Sequence, residues 1–66
     1  MEMIKVVSSN VRAVGYYEND LYVDYDSGTY VYYEVPEAVY AGLLKAESKG
    51  KYMHAEVKGK FKYMKI

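Results

Sequence analysis

Two alternating stretches joined by a tight turn limit the possible folds of this chain more than any other feature. Residues 21–26 and 29–34 both alternate, and Ser27-Gly28 separates them. Alternation with a period of two is typical of strands, and a two-residue turn containing glycine joins antiparallel neighbours. The sequence therefore predicts a β-hairpin whose two faces carry different chemistry.

The turn predicts which side chains share a face of this hairpin. It sets Tyr25 opposite Tyr30 and Val23 opposite Tyr32, and directly opposed residues lie on one face. A neutral face then comprises Leu21, Val23, Tyr25, Tyr30 and Tyr32. The other face comprises Tyr22, Asp24, Asp26, Thr29, Val31 and Tyr33. We expect the neutral face to form the core beneath helices and the mixed face to meet water or a partner.

The remaining segments predict the architecture. Residues 11–17 form a strand, Pro36 begins a helix, Ser48 caps a second helix over residues 49–58, and residues 60–63 form a last strand. The predicted fold class is α+β, a small single-layer antiparallel sheet in the order β-β-β-α-α-β with helices packed on one face. Residues 4–7 are compatible with an extra N-terminal strand.

The first helix carries two stripes of different character. Its apolar stripe comprises Val39, Tyr40, Leu43 and Leu44, at the spacing of a helix face that packs on a core. Its second stripe consists of the small residues Ala38, Gly42 and Ala46. This second stripe has two interpretations, a tolerated surface or the close approach of another backbone.

Length and composition bound the chain to one small domain, residues 1–66. A chain of 66 residues supports a thin core and no deep, water-excluding active site. It has no cysteine for disulfides or zinc, so oligomerisation is the remaining common source of added stability. No apolar run is long enough to span a membrane, and no long apolar signal segment is present. We therefore expect a cytoplasmic protein, or one in the host cytoplasm if it is encoded by a phage.

The residue types that carry catalysis or bind metals are sparse. Asp24 and Asp26 share the mixed face but lack a third ligand, and His54 is the only histidine. Ser48 and Lys51 match a short pattern of acyl-transfer enzymes, but capping explains Ser48 better. We predict no catalytic residues, no metal and no cofactor, and hence a protein that is not an enzyme.

The C-terminal third of the chain is basic. Residues 45–66 carry seven lysines against two glutamates, although the whole chain has no net charge. Such a segment attracts phosphate groups, or it is a solvated surface whose lysines keep a sheet edge from aggregating. The candidate ligand or nucleic-acid site consists of Lys49, Lys51, Tyr52, Lys58, Lys60 and Lys62, with Tyr52 as a stacking ring.

Several motifs in one register resemble a known family. They are Val7-Ser8-Ser9, Ala13-Val14-Gly15-Tyr16, Leu21-x-Val23-x-Tyr25, Ser27-Gly28, Tyr30-x-Tyr32, Val35-Pro36, Val39-Tyr40, Leu43-Leu44 and Ser48-Lys49-Gly50-x-Tyr52. In these the chain resembles the KTSC domain, a short module at the C-terminus of some lysyl-tRNA synthetases and a free-standing protein in bacteria and phages. The synthetase context implies binding of RNA. Tyr25 stands where the family pattern has phenylalanine, and Met53-His54 also departs from it.

Two functional hypotheses follow. The first is a non-catalytic binding module for RNA or another phosphate-rich ligand through the basic C-terminal segment. The second is a protein–protein contact, as an inhibitor, an adaptor or a homo-oligomer, through Tyr22, Val31 and Tyr33 on the mixed face. In a variant of the second, an oligomer encloses a small nucleotide in a tyrosine-lined pocket between subunits.

Overall fold

A five-stranded antiparallel sheet with helices on one face forms the molecule, in a computed structural model that describes residues 2–8 and 10–66. Its strands are β1 (Ile4–Lys5), β2 (Val11–Tyr17), β3 (Asp20–Tyr25), β4 (Gly28–Tyr32) and β5 (Tyr63–Lys65). They lie side by side in sequence order. The α+β fold class and the extra N-terminal strand are confirmed. Ser9, part of the motif Val7-Ser8-Ser9, lies outside the described residues.

The hairpin of β3 and β4 has a different register from the predicted one. The turn is centred on Asp26 and Ser27, so that Tyr25 pairs with Gly28 and Val23 with Tyr30. Gly28 has a φ of 139°, which a residue with a Cβ rarely adopts. The shift is two residues, and an even shift leaves every side chain on its predicted face. The neutral face therefore lies inward, as predicted: Tyr32 is 3% exposed and Tyr25 8%.

The turn between β2 and β3 decides which of two adjacent tyrosines points inward. Glu18 and Asn19 both have positive φ and form a two-residue turn, which pairs Tyr17 with Asp20. Tyr16 then shares the core face with Leu21, and its hydroxyl donates a hydrogen bond to the carbonyl oxygen of Val35. Tyr17 points to the opposite face and is exposed.

The helical region lies on the neutral face of the sheet. Helix α1 (Glu37–Lys45) follows Pro36, and its one buried residue, Leu43, is fully enclosed. Helix α2 (Lys49–Tyr52) begins at Ser48, whose hydroxyl accepts a hydrogen bond from the backbone N–H of Lys51, as predicted. A π-helical turn (Met53–Val57) continues α2. The positive φ of Gly59 ends the region.

The small-residue stripe of α1 allows a close contact. A Cβ at Gly42 would collide with the hydroxyl of Tyr52, so the Tyr52 side chain lies directly on the α1 backbone. That hydroxyl donates a 2.9 Å hydrogen bond to the carbonyl oxygen of Val39. At Gly42, therefore, the surface is not simply tolerated, but the group that approaches closely is the Tyr52 side chain and not another backbone. On the other side of the helix, the Tyr40 ring stacks on Tyr16 at 5.0 Å.

The last strand begins later than predicted. Residues 60–62 are irregular, and the strand that pairs with β4 is Tyr63–Lys65. The register sets Tyr63 beside Tyr32, and β4 stops there because Glu34 turns the chain with a φ of 54°. Lys60 and Phe61 thus lie beyond the end of the strand that they would pair with.

The face of the sheet without helices is open. Val31, predicted to be exposed there, is only 4% exposed, which corrects that expectation. Tyr22 and Met64 are its direct cross-strand neighbours, and side chains that large shield a valine between them. Tyr22 and Tyr33 are half-buried. Among the described residues, no helix is long and apolar enough to cross a membrane.

Candidate functional site

A cleft of about 590 Å³ opens on the neutral face, at the side of the hairpin turn and β5. Such a volume is in the usual range for small-molecule sites. Tyrosines from three strands line its sheet wall, namely Tyr25, Tyr30, Tyr32 and Tyr63. Lys58 and Gly59, from the end of the helical region, also line it. The neutral face of the sheet therefore forms both the core and the cleft.

The tyrosine rings of the cleft contact one another through their edges and faces. Tyr25 meets Tyr30 edge to face, with ring centroids 5.5 Å apart. Tyr63 lies 6.0 Å from Tyr30 and 5.8 Å from Tyr32, tilted against both. Tyr25 and Tyr32 are buried, whereas Tyr30 is half-buried and Tyr63 exposed. The cleft therefore offers two accessible ring surfaces supported by two buried rings.

The π-helical turn positions the lysine of the cleft. The backbone N–H of Lys58 donates to the carbonyl oxygen of Met53, five residues earlier, at 2.7 Å. This wide turn keeps Met53 and Val57 in the core, and the chain leaves it at Lys58. The ammonium group of Lys58 lies 5.0 Å from the centre of the Tyr25 ring, a cation–π arrangement.

The surroundings of the cleft are mainly basic. A shallower concavity shares Gly59 and Tyr63 with it and continues along Lys60 and Lys62. Lys65, next to Tyr30 in the sheet, lies over Gly28 on the neutral face. Against these cations stand Asp26 on the rim and Glu56, which is 3.9 Å from the ammonium of Lys60 at the exposed surface. Phosphate groups would meet several lysines along this path.

The predicted site residues fall into two groups. Lys58, Lys60 and Lys62 lie in or beside the cleft. Lys49 and Tyr52 have structural contacts elsewhere: the ammonium of Lys49 donates to the carbonyl oxygens of Leu44 and Ala46, and Tyr52 lies on α1. Lys51 is exposed on α2 and does not line the cleft. The structure therefore gives Tyr52 a packing contact in place of the predicted stacking position.

A hydroxyl pair is buried beside the cleft. The hydroxyl oxygens of Tyr25 and Tyr32 are 2.8 Å apart. Burial raises the pKa of Tyr25 well above its ordinary value, and the hydrogen bond to Tyr32 raises it further. Burial also raises the pKa of Tyr32. A tyrosine hydroxyl is protonated at neutral pH in any case, and the raised pKa values extend the neutral form of this pair to more alkaline pH.

Acid–base and metal chemistry have little support in the described residues. No group of three histidine, cysteine or carboxylate side chains there could hold a metal ion. Asp24 accepts a 3.3 Å hydrogen bond from Thr29, and Asp26 is part of the hairpin turn. His54 is exposed on the π-helical turn.

Of the residues that line the cleft, the sequence predicts only Lys58 as a site residue, and it assigns Tyr25, Tyr30 and Tyr32 to the core. Tyr25, Tyr30 and Tyr32 do lie on the core face, and Tyr63 joins them only because β5 pairs through it. No residue pattern indicates the cleft, because the part of the neutral face that the helices leave uncovered depends on three-dimensional packing. Asn10 and Ser27 on the rim carried no recognisable pattern.

Comparison with known proteins places the chain in a family. The sequence profile of the KTSC domain matches residues 7–61. A crystal structure of a KTSC domain protein from Yersinia pestis has a TM-score of 0.94 and 35% identity, covering 98% of this chain and 96% of that one. A protein of Tsukamurella paurometabola is 43% identical over 91% of this chain and 94% of its own length.

Two larger relatives contain a similar segment. A lysine–tRNA ligase of Trichormus variabilis is 47% identical over 70% of this chain, and one of a Nostoc species is 37% identical over 97%. The alignments span only 8% and 12% of those ligases. The likeness therefore concerns one module and not the ligase as a whole. On the profile match and the full-length structural likeness, the chain belongs to the KTSC domain family.

Proposed function

We propose that the chain is a non-catalytic module that binds single-stranded RNA. Phosphates would contact Lys58, Lys60 and Lys62, and a base would lie against the cleft tyrosines. The observation that carries the proposal is the continuity of the tyrosine cleft with the lysines that follow it. Aromatic faces beside a basic path are the usual elements of single-strand binding.

Single-stranded RNA fits this surface better than a duplex does. The accessible rings of Tyr30 and Tyr63 lie in a cleft. An unpaired base can enter it and stack on a ring, whereas a base in a duplex stays paired and stacked within the helix and cannot reach the rings. The presence of similar segments in two lysine–tRNA ligases supports a ligand of this class. The proposal also agrees with the cytoplasmic location that the sequence predicts.

The test is the salt dependence of binding to a labelled oligouridylate, followed by fluorescence anisotropy. Release of counterions by the three lysines predicts that log Kd rises with log salt concentration with a slope of about 2. Lys5→Gln is the matched control, because Lys5 lies on β1 at the opposite edge of the sheet. Its slope should equal that of the unmodified chain. Failure to retain the oligonucleotide at low salt would contradict the proposal.

A second candidate is contact with another protein or a second copy through the open face. Tyr17 and Met64 are exposed on this face, beside the half-buried Tyr22 and Tyr33. Their proximity favours a modest apolar contact, although Val31 contributes little accessible surface. Sedimentation analysis tests self-association. If the measured mass at high protein concentration is that of a single chain, contact with a second copy is excluded.

A further inference from the structure

The last strand of the sheet has a free edge. β5 lies at one end of the strand order, and no other strand in the described part of the chain pairs with its outer side. On its inner side, the N–H of Tyr33 donates to the carbonyl oxygen of Lys62, and the N–H of Ile66 donates to that of Thr29. The extended segment that β4 holds therefore comprises residues 62–66.

These two hydrogen bonds determine which backbone groups of β5 point outward. In an antiparallel pair, residues that bond to the neighbouring strand alternate with residues whose N–H and C=O point away from it. Because Lys62 and Ile66 bond to β4, Met64 does so as well, and the backbone groups of Tyr63 and Lys65 point outward. The edge thus offers two backbone donors and two backbone acceptors, from Tyr63 and Lys65, to an added strand.

The side chains along this edge differ between the two faces of the sheet. On the open face, the apolar side chains of Met64 and Ile66 are 55% and 62% exposed. On the neutral face, the exposed Lys65 lies beside Tyr63, and its side chain extends over Gly28. An added strand would therefore meet apolar groups on one face and a cation on the other.

We propose that this edge binds an extended peptide in which acidic and apolar residues alternate. The peptide joins the sheet as a further antiparallel strand, through the outward backbone groups of Tyr63 and Lys65. Its carboxylates lie on the neutral face beside Lys65, and its apolar side chains lie on the open face beside Met64 and Ile66. This edge differs from the proposed RNA site, because it uses backbone groups rather than the ring surfaces of the cleft.

Charge favours an acidic peptide over a second copy of the chain. Residues 58–65 contain four lysines and no carboxylate. Two copies joined through β5 would gather the lysines of both chains at one seam, and like charges beside each other in a sheet are destabilising. Lysines on an edge strand are a common protection against such pairing. A peptide with carboxylates on the same face compensates this charge instead.

The experiment uses blocked peptides of about six residues, the usual length of a strand, and the isotope-labelled full chain. One peptide alternates valine and glutamate, and its matched control has the same composition with all glutamates at one end. We expect the alternating peptide to bind about 3–10-fold more tightly, the effect of one net hydrogen bond. It should also slow the exchange of the Tyr63 and Lys65 amide protons with solvent. Equal affinity of the two peptides, or unchanged exchange at these amides, would overturn the proposal.

A proline at the edge isolates the backbone contribution. Proline is tolerated where the N–H of an edge strand faces solvent, so Lys65→Pro keeps the hydrogen bonds to β4 and removes one outward donor. Lys65→Ala is the matched control for charge. We expect Lys65→Pro to bind the alternating peptide about 3–10-fold more weakly than Lys65→Ala does. Equal affinities of these two variants would contradict the backbone contact.

The opposite edge supplies a second control. Val6 donates its N–H to the carbonyl oxygen of Arg12, so the neighbouring N–H of Lys5 points outward from β1. Lys5→Pro should therefore bind the alternating peptide as the unmodified chain does. A loss as large as that of Lys65→Pro would contradict the assignment of the peptide to β5.

The exchange measurement uses the unmodified chain, so it decides the matter even if a proline variant does not fold. Slow exchange of the Tyr63 and Lys65 amide protons without peptide, increasing with protein concentration, would mean that a second copy occupies the edge. That result would overturn the proposal. Binding of oligouridylate is measured separately, so a failure of peptide binding is distinguishable from a failure of RNA binding.

Discussion

Leu43→Ala is expected to lower the free energy of unfolding by about 2–5 kcal/mol. Leu43 is the one buried side chain of α1 and is 0% exposed. A domain of this size has a total stability of roughly 3–10 kcal/mol, so this single change removes much of it. The physical reason is a cavity between α1 and the sheet, which the surrounding side chains fill only in part. Denaturant unfolding followed by circular dichroism measures the loss.

The neighbouring residue supplies the control for this prediction. Leu44 is 38% exposed on the same helix, so Leu44→Ala removes the same atoms with less lost packing. We expect it to cost less than about 1 kcal/mol. Equal losses for the two variants would contradict the placement of α1, because they would mean that Leu43 is not the residue that faces the sheet.

The second large effect concerns binding. Replacing Lys58, Lys60 and Lys62 together by glutamine is expected to weaken binding of oligouridylate at low salt by at least about 10-fold. The salt slope should fall by about 2, because single strands release about 0.7 counterions for each neutralised phosphate. The three side chains are exposed. The cation–π contact of Lys58 with Tyr25 and the ion pair of Lys60 with Glu56 are each worth about 1 kcal/mol or less at such sites, so the free energy of unfolding should change little. Anisotropy titrations at several salt concentrations give both values.

A matched triple variant separates local charge from net charge. Lys5, Lys45 and Lys51 lie outside the two concavities, and their replacement by glutamine changes the net charge equally. This variant should keep most of the affinity and of the salt slope. If both triple variants lose affinity to the same extent, the binding depends on overall charge and not on the segment beside the cleft.

The sequence predicts the faces of the sheet better than the register and the ends of its strands. Alternation around Tyr30 and Tyr32 assigns the faces correctly because the register error is an even number of residues. The prediction that the last strand covers residues 60–63 is wrong. Alternation in these residues indicates an extended segment, but it does not show where the neighbouring strand β4 ends. That end depends on Glu34, whose positive φ nothing in its residue type predicts.

The cleft was beyond sequence reasoning for a different reason. Tyr25, Tyr30 and Tyr32 were correctly assigned to the core face, but the area that the helices leave uncovered depends on three-dimensional packing. The π-helical turn that brings Lys58 to Tyr25 also has no signature in residues 53–57. In contrast, the cap at Ser48 follows from a local hydrogen bond and was predicted.

The most direct test of the account is a magnetic resonance titration of the isotope-labelled chain with oligouridylate. The central claim is that the ligand enters the cleft on the neutral face. It predicts that the ring signals of Tyr30 and Tyr63 and the amide signal of Lys58 shift with added ligand, while the ring signals of Tyr22 and Tyr33 stay constant. Shifts confined to Tyr22 and Tyr33, on the open face, would contradict it.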